Sequence, residues 1–111
     1  METQPKLGKI IIAPDVLTTT ARLTTLAIPG VARLTSPLGM RRLLQQNGVE
    51  VKVTGDNVWV TLHVVTEPDV NMLGVGRQIQ AEVTRVLQDM VGVQVQSVDV
   101  YIEDVAYPRK S

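Results

Sequence analysis

A chain of 111 residues with no cysteine has the length of one domain around a single core, and it excludes disulfides and thiolate metal sites. Eleven basic residues balance eleven acidic ones, so no overall field draws in nucleic acid or an anionic membrane. The composition, 44% hydrophobic and 20% charged, is globular, and with no Phe, one Trp and two Tyr the core falls to Val, Leu, Ile and Met.

Residues 1–7 read as a polar tail, and METQPKLGK lacks the apolar run of a signal peptide. The longest such run, Ile10 to Ala13, falls far short of the ~20 residues of a membrane helix. The chain is expected to be soluble and intracellular. Lys9 to Ile12 is β-branched and predicts a short strand. Pro14 suits a first helical position and Asp15 the positive end of the helix dipole, so a helix is expected over Pro14–Ala27. Its apolar stripe is Val16, Thr20, Leu23 and Ala27, widened by Leu17, Ala21 and Thr24. Ile28-Pro29-Gly30 ends it. Val31–Thr35 is expected to extend into the sheet and Met40–Gln46 to form one or two helical turns.

From Gly48 to Thr66 the apolar residues alternate, which predicts a β-hairpin. A two-residue type II′ turn at Gly55-Asp56 sets Val53 opposite Val58, Val51 opposite Val60 and Val49 opposite Leu62. Asn71 is the expected N-cap of a second helix, whose apolar stripe is Val75, Ile79, Val83, Val86, Leu87 and Met90. Gly92 closes it. The last strand, Val93 to Val105, changes phase between Val95 and Val98, which implies a β-bulge near Ser97.

The order strand, helix, hairpin, helix, strand predicts an α+β fold: a two-layer βαββαβ-type domain, with a small mixed sheet and both helices on one face. The alternative is a KH-like αβ layer in which the first strand is marginal. One domain spans 1–111, ordered over roughly 8–107. The expected core is Val51, Val53, Val60, Leu62, Ile79, Val83, Leu87, Val98 and Val100.

No catalytic, cofactor-binding or metal-binding residue is nominated. His63, the only histidine, has no nucleophile or orienting partner in the sequence pattern and reads as an exposed strand residue. Gly74-Val75-Gly76 lacks the third glycine of a dinucleotide loop and the Gly-Lys-Ser/Thr of a P-loop. Asp69, Glu82, Asp89, Glu103 and Asp104 read as solvated charges. Without a GXXG loop or a stacking platform, nucleic-acid binding is not expected. One anomaly stands out: Trp59, Thr61, His63 and Val65 share the hairpin face away from the core, joined by Tyr101. Lys52, across from Trp59, is placed to lay its stem over the ring.

Three blocks resemble the alkaline shock protein family of bacterial envelope stress response proteins. The first runs from Gly8-Lys9-Ile10-Ile11-Ile12-Ala13-Pro14-Asp15-Val16 through Ala21-Arg22 to Ile28-Pro29-Gly30-Val31. The second is the hairpin, Gly48-Val49-Glu50-Val51 through Val60 to Val65. The third is Ile79-Gln80, then Met90-Val91-Gly92 through Val98-Asp99-Val100 to Glu103-Asp104-Val105. The resemblance implies a cytoplasmic, non-enzymatic adaptor or scaffold, linked to envelope, membrane or lipid homeostasis and needing no cofactor. It implies self-association, and association with the membrane through a separate anchor protein rather than by insertion. It supplies no catalytic residues. Gly74, Gly76 and the stretch Ser36–Asn47 depart from it. An RNA-binding module of KH-like fold is the alternative function. On the adaptor reading, Trp59, Thr61, His63 and Tyr101 are expected in or beside a self-association or partner surface.

Overall fold

The hairpin expected from the alternating valines is the spine of the fold. Strands β2 (Val49–Thr54) and β3 (Asn57–Thr66), numbered after the β1 described below, pair antiparallel in the predicted register, Val49 with Leu62, Val51 with Val60 and Val53 with Val58. Gly55 turns the corner at φ +61° and Asp56 keeps a negative φ, the signature of a type II′ turn. The structure, a computed structural model, describes residues 7–36 and 47–107. The helical turns expected at Met40–Gln46 lie outside the described residues.

Val31–Leu34 forms β1, which pairs antiparallel with β3 beyond the end of β2, Leu34 facing Val64 and Arg33 facing Val65. β1 and β2 therefore lie end to end along one edge of β3. At the junction His63 donates its N–H to the Gly48 carbonyl and accepts from the Thr35 N–H, both at 2.9 Å. β4 (Gln94–Val105) runs parallel to β3 along the other edge. The result is the expected α+β arrangement, a small mixed sheet and two helices. The strand expected at Lys9–Ile12 does not form: Ile10 and Ile11 are 94% and 80% exposed. Both edges of β3 are taken, and the segment joins no other strand of the sheet among the described residues, so its β-branched composition is not matched by a ladder.

Helices α1 (Pro14–Leu26) and α2 (Met72–Val86) cover the face of β3 that carries Val58, Val60, Leu62 and Val64, all fully buried. Of the expected core, Val60, Leu62, Ile79, Val83, Leu87 and Val98 are buried and Val51 and Val100 half-buried. Val53 is 44% exposed. It sits near the hairpin tip on an edge strand, where no strand among the described residues covers its outer side.

The buried stripe of α1 is Leu17, Ala21 and Thr25, one residue on from the predicted centre; Val16 and Leu23 are exposed. Thr25 is buried at no polar cost, because its hydroxyl donates to the Ala21 carbonyl at 2.8 Å. Asn71 caps α2 as expected, its Oδ1 accepting the Gly74 N–H at 2.8 Å. After Val86 the chain widens into a π-helical turn, Leu87–Val91, closed by Gly92, whose N–H donates to Leu87 O at 3.0 Å. The extra residue keeps Leu87 inside and swings Met90 out to 76% exposure, against the expectation that Met90 joins the stripe.

The bulge expected near Ser97 is present: Val58 faces Val95, but Trp59 faces Ser97. A second register shift falls between Ile102 and Asp104. Within α2, Gly76 has open space where a Cβ would stand and no positive φ. Gly76→Ala is therefore expected to stabilise the chain by about 0.5–1 kcal/mol, through helix propensity alone. A rise in the urea midpoint at unchanged slope measures it.

Candidate functional site

The face of the sheet away from the helices is where the anomalous residues gather. Because strand side chains alternate, the buried set Val58, Val60, Leu62 and Val64 obliges Trp59, Thr61, His63 and Val65 to face the other way. β4 adds their partners: Ser97 beside Trp59, Asp99 beside Thr61 and Tyr101 beside His63. β2 adds Glu50 opposite Thr61 and Lys52 opposite Trp59. No helix covers this face among the described residues.

The four residues expected at an interaction surface fall into two neighbouring groups. Trp59, 37% exposed, and half-buried Thr61 lie in a depression of about 460 Å³ with Glu50, Lys52, Thr54, Ser97 and Asp99 around it. The floor is thus an indole and a threonine, and the rim carries both signs of charge. His63 and Tyr101 form the second group, farther along β3, with ring centroids 4.9 Å apart and planes 18° from parallel.

His63 is not the exposed strand residue that the alternation predicts; it is 7% exposed. Tyr101 stacks on its ring, and Nδ1 lies 2.7 Å from Glu103 Oε2, where a carboxylate oxygen accepts the ring N–H and so fixes the tautomer. Glu103 reads as a solvated charge in the sequence. It reaches His63 because the register shift after Ile102 lies at Glu103, which frees its carboxylate to reach sideways. A trace of this was present: Ile102 to Val105 repeats the spacing of three seen from Val95 to Val98.

A histidine held by one carboxylate is chemically competent as a base only beside a reacting group. The hydroxyls of Thr61 and Ser97 and the carboxylates of Glu50 and Asp99 belong to the depression around Trp59, and no hydrogen bond joins any of them to His63 among the described residues. Nor do the described residues bring together three or more His, Asp or Glu side chains able to hold a metal ion. The face presents an aromatic centre, hydroxyls and a mixed-charge rim, which suits contact with another surface better than turnover of a small substrate.

The sequence model of the alkaline shock protein family, described as having cell envelope-related function, matches residues 2–107. No curated protein matches the sequence. Among solved structures, the fragment MamM-CTD 215–293 is similar, at 13% identity and a TM-score of 0.60, over 81% of this chain and 96% of that one. A copper form of a substituted MamM CTD gives 13% identity, a TM-score of 0.60, and 81% and 95% coverage. A nickel form gives 12%, 0.60, 81% and 96%. At such identities the likeness is one of fold.

Proposed function

Since the chain belongs to the alkaline shock protein family of cell envelope-related function, we propose that it works without catalysis, as an adaptor or scaffold in the envelope stress response. Its open sheet face, with Trp59 and Thr61 at the centre and His63 and Tyr101 beside them, meets a protein partner. The observation that carries this reading is Trp59, a large aromatic left 37% exposed on a face that no helix among the described residues covers. Covering such a side chain contributes up to about 1.5–3 kcal/mol, and aromatic centres with polar rims are the usual anatomy of protein contacts. The chain acts in the cytoplasm and reaches the envelope through that partner. In keeping with this, no helix among the described residues is long and apolar enough to cross a membrane.

The test is affinity purification of the full chain from its native host, wild type beside Trp59→Ala, with mass spectrometry of what is retained. Membrane or lipid-enzyme proteins retained by the wild type should be reduced at least severalfold with the variant, while far-UV circular dichroism stays unchanged. Equal retention by the two proteins would remove Trp59 from the interface. Unfolding of the variant would place Trp59 in the core and end this reading.

A further inference from the structure

β4 has a free edge. β3 takes one side, and among the described residues no strand pairs with the other. The peptide groups that face outward follow from β3. His63 directs its N–H and C=O to Gly48 and Thr35, so those of Leu62 and Val64 turn towards β4. In a parallel ladder they bond the residues flanking their partners Val100 and Ile102, namely Asp99 and Tyr101 within the regular stretch. Val98, Val100 and Ile102 therefore present their peptide groups outward. Gln80 agrees with this, its Nε2 reaching from α2 to donate to Val98 O at 3.0 Å.

Beside that edge runs a groove whose apolar part is Met72 and Leu73 of α2, 40% and 66% exposed, and half-buried Val100 and Ile102 of β4, with Arg77 and Gln80 of α2 as its polar part. Exposed apolar side chains flanking unpaired peptide groups mark a place where sheet and helix layers both stop short.

We propose that β4 pairs antiparallel with β4 of a second copy of this chain, about a twofold axis at Val100. The two sheets join, and the two α2 flanks meet over the seam. A second copy is the occupant because the edge is complementary to itself in one register. Side chains facing the helices must oppose their like, so between the two bulges the axis can pass through Val100 or Asp99 with comparable overlap. An axis at Asp99 sets two carboxylates directly opposite, which is unfavourable. An axis at Val100 sets Val98 against Ile102, Val100 against itself and Asp99 against Tyr101. No like charges then face each other, and the three outward peptide units all find partners. Val98 O keeps Gln80 as well, since a carbonyl accepts twice. This seam adjoins the face around Trp59 and shares Asp99 and Tyr101 with it, but Trp59 itself makes no contact across the seam, so Trp59→Ala leaves it intact.

Sedimentation equilibrium of the full chain tests the proposal. The wild type should sediment with the mass of two chains, and Leu73→Glu with the mass of one at the same concentration, with unchanged circular dichroism. Leu73 is exposed in the single chain, so its replacement removes the seam and not the fold. The chain has no cysteine of its own, which permits a test of register. A mixture of Asp99→Cys and Tyr101→Cys chains should form a disulfide-linked pair on oxidation. Neither variant alone should, because like positions then lie beyond the ~7 Å limit for bridging. A wild type of single-chain mass at every concentration, or an undiminished pair with Leu73→Glu, would overturn the proposal. Cross-linking of Asp99→Cys chains alone would overturn the register.

Discussion

Replacing Leu62 by alanine is expected to lower stability by about 2–5 kcal/mol, the range for truncating a fully buried leucine. Leu62 is 0% exposed in the middle of the central strand, paired with Val49 on one side and Val100 on the other. Ile79 and Val83 of α2 belong to the same buried cluster. Val49, Val100, Ile79 and Val83 all belong to regular elements, so the space left by the lost methyls does not close without moving a strand or a helix. Domains of this size are held by only about 5–15 kcal/mol, and the variant should show a much lower urea midpoint at similar slope. A loss under about 1 kcal/mol would mean that the two faces of β3 are assigned the wrong way round, since an exposed leucine gives up no packing.

The hairpin and its faces were legible because two independent signals agreed: a period of two along each arm and a two-residue turn that brings like faces together. The bulge near Ser97 was legible from one irregular spacing. The phase of α1 was harder to read, since its buried stripe includes Thr25, a polar residue whose hydroxyl the helix itself satisfies. Apolar periodicity gives such a residue no weight. The run Lys9–Ile12 misled for a different reason. Its local preference for extended backbone is real, but propensity carries no information about which edge, if any, a segment will pair with.

The interaction surface was half legible. Alternation put Trp59 and Thr61 on the open face, where the structure has them. The burial of His63 was not legible. It depends on Tyr101 and on a bulged Glu103 forty positions away, a contact made by the parallel pairing of β3 with β4. The hairpin pattern already set Lys52 across from Trp59, but Asp99 and Ser97 joined them around the depression only once β4 was laid beside β3.

Gly48→Ala is expected to cost about 2–5 kcal/mol, far more than the loss of a glycine usually implies. Gly48 has φ +82°, and a Cβ there would stand 2.4 Å from the Thr35 carbonyl oxygen and 2.9 Å from both Thr35 N and His63 O. All three atoms are backbone. They belong to the junction where β1 stops and β2 begins, where the Thr35 N–H donates to His63 O at 2.9 Å. An alanine there loses about 1–2 kcal/mol to left-handed backbone. It also forces apart the Thr35 and His63 bonds, at about 0.5–1.5 kcal/mol each. Gly55→Ala is the control, because Gly55 also has positive φ, +61°, with nothing within 4 Å of its Cβ position. It should lose only the conformational part. The difference between the two variants in urea titration therefore isolates the close approach of the two segment ends. In hydrogen exchange, Gly48→Ala should also release the His63 amide, which donates to Gly48 O at 2.9 Å, ahead of the amides of Val60 and Leu62. Equal losses for the two variants, with the His63 amide still protected, would mean that Thr35 and Gly48 do not meet at His63 and that β1 and β2 are not one interrupted edge.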